Sequence, residues 1–177
     1  MIPELETERL AMRAIRDDDL DAYCDMVGNP TVTRFLGTGR TSNRAEAWMQ
    51  MASILGHWQL RGYGLWAVES KENGSFLGRV GLYNPEGWPG LEVGWALREC
   101  HQGHGYATEA GAAALRFAFE RVGAEEVISC IQPGNAASIK VAEKLGETHW
   151  RDEPLQGIRV HIYGVDRATW ESHTAAT

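Results

Sequence analysis

The sequence predicts one α/β domain built on a mixed sheet, and three observations lead to that prediction. The chain of 177 residues falls within the size of about 100–200 residues that is usual for one domain. Segments with the apolar period of a helix alternate with segments that have the period of a strand. No repeat, low-complexity run or linker-like stretch divides them. We therefore expect residues 1–177 to form a single domain.

The first third of the chain is expected to hold one strand and two helices. Residues 9–15 (RLAMRAI) alternate apolar and polar positions, which predicts a strand. Aspartates at the start of residues 17–27 favour a helix, and Gly28-Asn29-Pro30 is a stop signal. Residues 31–43 are rich in Gly, Thr and Ser and are expected to form a loop, and residues 44–60 a helix. That helix has large apolar residues at helical spacing, namely Trp48, Met51, Leu55 and Trp58.

The middle of the chain changes to the period of strands. Residues 63–70 and 75–83 predict two strands joined by Lys71-Glu72-Asn73-Gly74, because Asn-Gly is a strong hairpin signal. The stretch EGWPG predicts a second turn, and residues 91–97 a third strand.

The last part of the chain is expected to alternate helices and strands again. A helix from about His104 to Val122 has one narrow polar stripe and should be largely buried. Asn135 and Gly146 are typical of the start and end of the next helix. The other expected elements are a strand at residues 125–131, strands at residues 148–152 and 158–165, and a short polar tail.

Composition excludes several classes of function. The formal net charge is -7, from 17 basic and 24 acidic residues, which does not suit sequence-independent nucleic-acid binding. The same charge weakly favours a cationic substrate such as an amine. No apolar run approaches the roughly 20 residues of a membrane helix.

Cysteine usage and the N-terminus indicate the compartment. The three cysteines, Cys24, Cys100 and Cys130, are widely spaced and form neither a disulfide framework nor a zinc motif. The first residues, MIPELETERL, do not have the pattern of a signal peptide. A reducing cytoplasm is the expected location.

The stretch ECHQGHGYATEA, residues 99–110, places Gly103 and Gly105 just before a helix. A dinucleotide-binding G-x-G-x-x-G motif does not fit, because the third small residue is misplaced, and the Gly-Lys-Ser/Thr triplet of a P-loop is missing. A pyrophosphate cradle fits the Q-x-x-G-x-A pattern, since glycines let backbone N–H groups reach an anion at a helix N-terminus. A simple tight turn remains the alternative on the loop alone.

Two ordered motifs favour the pyrophosphate cradle over the simple turn. The stretch WAL…HQGHGYATEA, followed by a strand and then NAASIKVAEKLG, resembles the GNAT acetyltransferases, and more narrowly the branch that includes the ribosomal-protein N-terminal acetyltransferases RimJ and RimL. ETERLAMRAIRDDDLDAY, NPTVTRFLG and GLWAVESKENGSFLGRVGL also resemble that branch, so the likeness covers nearly the whole chain. It implies a mostly antiparallel sheet with one parallel pair, flanked by helices.

The resemblance implies acetyl-CoA as cosubstrate and a primary amine as acceptor. Gln102, Gly103, His104, Gly105, Tyr106, Ala107 and Thr108 would hold the pyrophosphate. The backbone of Trp95, Ala96 and Leu97 would pair with the pantetheine arm, as an added strand does. Asn135 would face the thioester end, and Lys144 would approach the adenosine phosphate.

The same resemblance assigns the chemistry. Glu92 in LEVGW matches an acidic position that acts as the base, often through water, although a solvated strand glutamate is the alternative. Ser138 would donate to the leaving sulfur, although a serine in a first helical turn is also common. Asn135 is in addition a preferred helix cap. Arg34 and Phe35 are candidate acceptor contacts, or else ordinary loop residues.

Some features depart from the family or carry no site. Ala142 stands where many acetyltransferases have a tyrosine, and Glu147 where an apolar residue is usual. No metal is expected, because Cys100, His101 and His104 lack a fourth ligand and overlap the glycine loop. The tryptophans are either pocket walls or core packing, and comprise Trp48, Trp58, Trp66, Trp88 and Trp95.

Three functions follow from these observations. The first is an acetyl-CoA-dependent N-acetyltransferase for a protein N-terminus or a small amine, with a homodimer plausible from the family. The second is a non-catalytic acyl-CoA sensor or partner-binding module, which the alanine at position 142 motivates. The third is an unrelated pyrophosphate binder. No nucleic-acid or membrane partner is expected.

Overall fold

An eight-stranded sheet runs through the molecule in the order β1-β2-β3-β4-β5-β6-β8-β7. The computed structural model describes residues 1–175. The strands are β1 (Leu5–Glu6), β2 (Leu10–Arg13), β3 (Leu65–Ser70), β4 (Phe76–Tyr83), β5 (Glu92–Leu97), β6 (Glu126–Ile131), β7 (Thr148–Leu155) and β8 (Ile158–Asp166). The α-helices are α1 (Leu20–Val27), α2 (Pro30–Thr33), α3 (Arg44–Arg61), α4 (Tyr106–Phe117), α5 (Ala136–Lys144) and α6 (Arg167–Ala175).

The sheet is mixed, as the sequence predicts. Its neighbouring strands pair antiparallel except for β5 and β6, which are parallel. Those two strands share a single register position in the described chain, Glu92 opposite Ile128. Beyond that position β5 keeps its pairing with β4 through Leu97 but is no longer paired with β6. A gap therefore opens in the middle of the sheet.

Local sequence explains where the long helix α3 begins and ends. The Asn43 side chain accepts a hydrogen bond from the Glu46 backbone N–H at 3.0 Å, and the Glu46 carboxylate accepts one from the Asn43 N–H at 2.8 Å. This reciprocal cap satisfies two N–H groups of the first turn. Gly62, with φ of 77°, ends the helix in the left-handed conformation that glycine adopts most readily.

Aromatic contacts join the helices to the sheet. The ring of Trp66 on β3 lies 4.8 Å from Trp58 on α3 and 5.2 Å from Phe117 on α4, edge to face in both cases. Met51 and Trp58 of α3 are buried as its apolar spacing predicts, whereas Trp48 and Leu55 are 49% and 40% exposed. The stripe that faces the core is thus rotated around the helix relative to the predicted one and also contains Ala47, Ile54 and His57.

Three elements differ from the prediction. The short strand β1 is additional, and the expected loop at residues 31–43 begins with the single-turn helix α2. Asn29 caps that turn by accepting from the Thr31 N–H at 2.8 Å, and Pro30 occupies its first position, where its missing N–H costs nothing. Gly28-Asn29-Pro30 therefore ends one helix and starts another.

The expected polar tail is wrong for residues 167–175, which form α6. Trp170 is 8% exposed and stacks on Phe119 with 4.7 Å between ring centroids. Arg167 donates hydrogen bonds to the carbonyls of Phe119 and Ala124. One buried tryptophan and one arginine dock an otherwise polar helix, so its low apolar content concealed it. Residues 176 and 177 of that tail lie outside the described residues.

Within residues 1–175, no helix is both long enough and apolar enough to cross a bilayer.

Candidate active site

A cavity of about 370 Å³, called here the central cavity, lies where β5 and β6 separate. Its walls come from the middle of the sheet, from α1 and α3, from the start of α5 and from the turn between β7 and β8. The lining residues include Tyr23, Phe35, Leu36, Gln50, Ile54, Arg79, Tyr83, Trp88, Glu92, Trp95, Asn135, Ser138, Leu155 and Ile158.

Glu92 lines the central cavity at the last position where β5 and β6 are paired. Its Oε2 accepts a hydrogen bond from the Trp88 indole at 2.6 Å, and its Oε1 accepts one from the Cys130 backbone N–H at 3.3 Å. Burial outweighs these two donors and raises the pKa of Glu92 to about 7. A carboxylate with a pKa near neutrality can both take and release a proton at physiological pH.

Burial has a further effect beside Glu92. It raises the pKa of the Cys130 thiol well above its usual range, with the Glu92 charge adding to the shift. Cys130 is therefore a neutral wall of the cavity and not a second nucleophile.

The start of α5 brings Ser138 and Asn135 to the same cavity. The Asn135 side chain caps the helix by accepting from the Ser138 backbone N–H at 3.2 Å. The Ser138 hydroxyl accepts a hydrogen bond from the Trp95 indole at 3.2 Å. Because an indole N–H can only donate, the hydroxyl hydrogen of Ser138 remains available for another acceptor.

The glycine loop connects β5 to α4. The Gln102 side chain donates to the Leu97 carbonyl at 3.0 Å, which ties the loop to the end of the strand. Gly103 and Gly105 have φ of 80° and 84°, in the left-handed region. A Cβ built on Gly103 would meet nothing within 4 Å, so the loop presents bare backbone to open space. The conformation of the loop thus requires glycine, independently of any ligand.

Among the described residues, no side chain caps the N-terminus of α4. Gly105 is its N-cap residue and cannot supply one, so the first N–H groups at Tyr106, Ala107 and Thr108 lack that partner. A helix end of this kind attracts anions through its N–H groups and its dipole. The loop therefore fits a pyrophosphate, as the sequence predicts, although its geometry alone does not identify the ligand.

Arg9 and Glu109 anchor the glycine loop through a salt bridge and a hydrogen bond to the loop backbone. The sequence analysis did not predict this role. The Arg9 guanidinium pairs with Glu109 at 2.6 Å, donates to the His104 carbonyl at 3.0 Å and lies 4.6 Å from the centre of the Tyr106 ring. From the sequence alone, Glu109 is one polar residue of an otherwise apolar helix. The two residues are 100 positions apart in the chain, so no local pattern could have connected them.

The strand segment Trp95–Leu97 borders the gap. Trp95 lines the central cavity, whereas Ala96 and Leu97 are buried, each 6% exposed. On the β6 side, Val93 is bridged by the Ser129 hydroxyl, which donates to its carbonyl at 2.9 Å. Past that bridge, the described chain offers no strand partner on this side of β5.

The remaining predicted residues are distributed unevenly. Phe35 reaches the central cavity, whereas Arg34 is exposed and lies 5.1 Å from the centre of the Phe35 ring. Lys144 is exposed in the last turn of α5, at the opposite end of that helix from Asn135. The structure therefore groups Glu92, Trp95, Asn135, Ser138 and Phe35 around one cavity. Outside its lining lie Arg34, Lys144, Ala96, Leu97 and the glycine loop, residues 102–108.

The tryptophans divide between the two expected roles. Trp88 and Trp95 line the cavity and donate hydrogen bonds to Glu92 and Ser138. Trp58 and Trp66 are core residues, and Trp48 is half exposed. Of the two roles expected for the tryptophans, Trp88 therefore has that of a pocket wall and not that of core packing.

Glu147 is a second buried carboxyl group close to the site. It is 2% exposed, Ser129 lies 3.0 Å from its Oε1, and its Oε2 has no partner in the described chain. Burial raises the pKa of Glu147 to about 8, and the charge of Glu92 adds to the shift. Since the Ser129 hydroxyl donates to Val93, a protonated Glu147 completes the chain by donating to Ser129. Glu147, which stands where an apolar residue is usual in the family, therefore places a protonated carboxylic acid next to Ser129 and β5.

A histidine–aspartate cluster lies elsewhere, on the β7–β8 hairpin. Within residues 1–175, His149, Asp152 and His161 are the group whose possible ligand atoms converge, within 4.8 Å of one another. Asp152 also pairs with Arg159 at 2.8 Å, and these neighbours hold the pKa of Asp152 well below its usual range. The cluster does not include Cys100, His101 or His104, the candidates that the sequence offers.

Comparisons with known proteins agree with this architecture. A family model described as an acetyltransferase (GNAT) domain matches residues 9–148. The protein YkkB of Bacillus subtilis (strain 168) is 32% identical over 151 residues, which cover 81% of this chain and 84% of YkkB. An acetyltransferase structure from Agrobacterium tumefaciens str. C58 is 32% identical with a TM-score of 0.84, covering 94% of this chain and 96% of that one.

One further neighbour was solved with a ligand. The ribosomal alpha-N-protein acetyltransferase RimL, in complex with coenzyme A, is 19% identical with a TM-score of 0.77, covering 93% of this chain and 98% of that one. At this identity the likeness shows the fold alone.

Proposed function

This chain belongs to the acetyltransferase (GNAT) family, and we propose that it transfers the acetyl group of acetyl-CoA to a primary amine. The observation that carries the proposal is one cavity in which a carboxylate with a pKa near 7 and a serine hydroxyl lie beside the gap between β5 and β6. The acceptor is either a protein N-terminus or a small amine, and the motifs shared with RimJ and RimL support this choice of acceptors.

The proposed cosubstrate site follows the gap and the glycine loop. Backbone N–H groups from Gly103 to Thr108 bind the pyrophosphate at the uncapped end of α4. The open side of β5 at Trp95, Ala96 and Leu97 pairs with the pantetheine arm. Asn135 faces the thioester end, and Lys144 is the outermost proposed contact, at the adenosine phosphate. When bound, acetyl-CoA supplies an activated acetyl thioester.

Glu92 and Ser138 divide the proton transfers. The attacking amine loses a proton as its nitrogen forms the amide bond. Glu92 accepts that proton, directly or through a water. The departing thiolate needs a proton or a hydrogen bond, and Ser138 supplies it with the hydrogen that Trp95 leaves free. The C–N bond forms as the C–S bond breaks, and the proton held by Glu92 returns through water to replace the one that Ser138 gives up. The products are an amide and CoA thiol, and both side chains recover their starting states.

The alanine at position 142 is a weak argument for a non-catalytic role. Ala142, where many relatives have a tyrosine, is fully buried and lies outside the lining of the central cavity. Ser138 already provides a hydroxyl in the cavity. Binding without turnover is therefore an outcome that the activity test can reveal, and not a second proposal.

The test is acetyl transfer measured in two ways on one reaction. The protein is incubated with acetyl-CoA and a panel of N-terminally free peptides, polyamines and amino acids. Release of CoA thiol and the mass of the acetylated amine are both recorded. We expect equal amounts of thiol and acetylated product for at least one class of amine.

Ligand binding is measured in parallel by thermal unfolding. At about 100 times its Kd, acetyl-CoA should stabilise the protein by about 2.7 kcal/mol. Stabilisation without transfer to any amine would identify a sensor. Stabilisation by nucleotides but not by acetyl-CoA would identify an unrelated pyrophosphate binder.

A further inference from the structure

Arg79 on β4 is an unpaired cation in the central cavity. Its Nε is buried without a hydrogen-bond partner, and within the described chain none of its guanidinium nitrogens forms a hydrogen bond or an ion pair. The group nevertheless lines the cavity. A guanidinium offers five N–H donors and stays charged at all physiological pH values, so leaving it unpaired in a partly buried site is unfavourable.

Two polar side chains of the cavity lining, Tyr23 and Gln50, form no hydrogen bond with Arg79. The Tyr23 hydroxyl donates to the Gln50 side chain at 3.2 Å, and the Gln50 amide donates to the Ser42 hydroxyl at 2.9 Å. Tyr23, Gln50 and Ser42 thus form hydrogen bonds with one another and not with the Arg79 guanidinium. The charge of Arg79 is felt at Tyr83 and Glu92, where it opposes the rise of both pKa values.

Arg79 and Glu92 point into the same space. In the β4–β5 register Arg79 lies opposite Ala96, and Tyr83 lies opposite Glu92, so the two rows share one face of the sheet. The rows are four residues apart, about 13 Å along the strand, and the long arginine and glutamate side chains extend over much of that distance. Between them Gly81 lies opposite Gly94, and neither has a side chain.

Within the described chain, Arg79 is the basic residue of the cavity lining and Glu92 is its carboxylic acid. No salt bridge joins Arg79 to Glu92 in the described chain, although the charge of Arg79 acts on Glu92. A ligand that fits this arrangement has an anionic group for the guanidinium and an amine for the carboxylate, a short distance apart.

We propose that the acceptor is a small amino carboxylic acid, with its carboxylate bound to Arg79 and its amine directed at Glu92. This inference rests on the proposed acetyl transfer. An arginine binds a carboxylate through two parallel hydrogen bonds, which would satisfy the orphaned Nε. The net charge of -7 favours cations at long range, but the cavity itself contains an unmatched cation.

A phosphate of acetyl-CoA is the other possible source of an anion. The proposed pyrophosphate site has its own donors at the glycine loop and the start of α4, whereas Arg79 shares its face with Glu92. The acceptor carboxylate is therefore the better match, and the test separates the two sources.

The test compares matched acceptors that differ only in the carboxylate. L-Amino acids and their carboxamides are assayed as pairs, with kcat/KM expressed per free amine. We expect the wild-type protein to prefer acids over amides by about 10-fold or more. The substitution Arg79→Gln should bring the acid-to-amide ratio close to one, and Arg79→Lys should keep part of the preference.

Two controls keep the result specific. Arg116→Gln, on the exposed side of α4, should retain the wild-type ratio. The Kd of acetyl-CoA, measured by calorimetry, should be the same in the wild type and Arg79→Gln. Thermal unfolding of each variant establishes that it is folded.

Two results would overturn the inference. One is equal use of acids and amides by the wild type, as expected for peptide N-termini. The other is a raised Kd for acetyl-CoA in Arg79→Gln, which would assign Arg79 to the cosubstrate phosphates. If no amine is acetylated, the proposed function fails, and calorimetry of N-acetyl amino acids and their carboxamides with the CoA-loaded protein then decides whether a carboxylate binds Arg79.

Discussion

At the scale of single residues, the site depends on what surrounds each polar group. Glu92 is one of several strand glutamates, and desolvation at the gap raises its pKa to about 7, against the opposing effect of the hydrogen bonds from Trp88 and Cys130. The sequence predicted Glu92, Ser138 and Asn135 as site candidates because they stand next to recognisable motifs. It did not predict Arg79 or Glu147 as site residues, because the unpartnered Arg79 Nε and Glu147 Oε2 result from contacts between distant parts of the chain.

Removing the hydroxyl of Ser138 tests its proposed role directly. Ser138→Ala should lower kcat by about 10–100-fold, because no side chain then donates to the leaving thiolate. The KM for acetyl-CoA should change little, and steady-state kinetics separates the two parameters. Ser172→Ala, which removes a hydroxyl from the exposed side of α6, serves as control. An unchanged kcat in Ser138→Ala would assign the proton donation to water.

At the scale of elements, the sequence predicted the strand, loop and helix that make up the proposed cosubstrate site. Their signals are local: a two-residue apolar period, two glycines that adopt positive φ, and an alanine-rich helical stretch. The helix α6 was missed because a distant partner, Phe119, docks its single buried tryptophan. The helix α2 was missed because one turn is too short to show a period.

A matched pair of glycine substitutions tests the cradle. Gly103 and Gly123 have φ of 80° and 78°, and a Cβ on either would meet nothing within 4 Å. Alanine at each should therefore cost a similar free energy of unfolding, about 1–2 kcal/mol.

The affinity for acetyl-CoA should separate the two variants. Gly103→Ala places a methyl group over the proposed pyrophosphate site and should raise the Kd by about 10-fold or more. Gly123→Ala lies beyond the far end of α4 and should bind as the wild type does. Equal Kd values in both variants would contradict a pyrophosphate at this loop, and isothermal calorimetry provides the comparison.

At the scale of the whole molecule, opening the sheet between β5 and β6 has a consequence for stability. Two carboxyl groups near the gap, those of the partly buried Glu92 and the fully buried Glu147, have raised pKa values. The hairpins β3–β4 and β7–β8 follow from the order of segments in the chain, but the placement of β8 between β6 and β7 is a long-range outcome. No local pattern specified which strands would separate, so the sequence alone could not predict the cavity.

Stability should fall as the pH rises, and Glu147 is a main cause. The folded protein holds a proton on Glu147 up to about pH 8, whereas the unfolded chain releases it near 4.5. Between these values folding takes up a proton, so the free energy of unfolding decreases with increasing pH. Glu147→Gln remains neutral and should remove a decrease on the order of 3 kcal/mol.

Urea unfolding at pH 5.5 and 8.5 measures this difference. Glu143→Gln, at an exposed position on α5, should keep the wild-type dependence on pH. The same dependence in Glu147→Gln would show that Glu147 is ionised in the folded protein.

The pH dependence of acetyl transfer by the wild type and Glu92→Gln tests the central claim most directly. The ratio of their kcat/KM values cancels the ionisation of the acceptor amine. We predict a ratio that increases through a midpoint near pH 7, the pKa of Glu92, and reaches about 100-fold or more above pH 8. Glu86→Gln, at a fully exposed site, should give a ratio near one at every pH. A ratio for Glu92→Gln that stays near one across the range would contradict the assignment of Glu92 as the base.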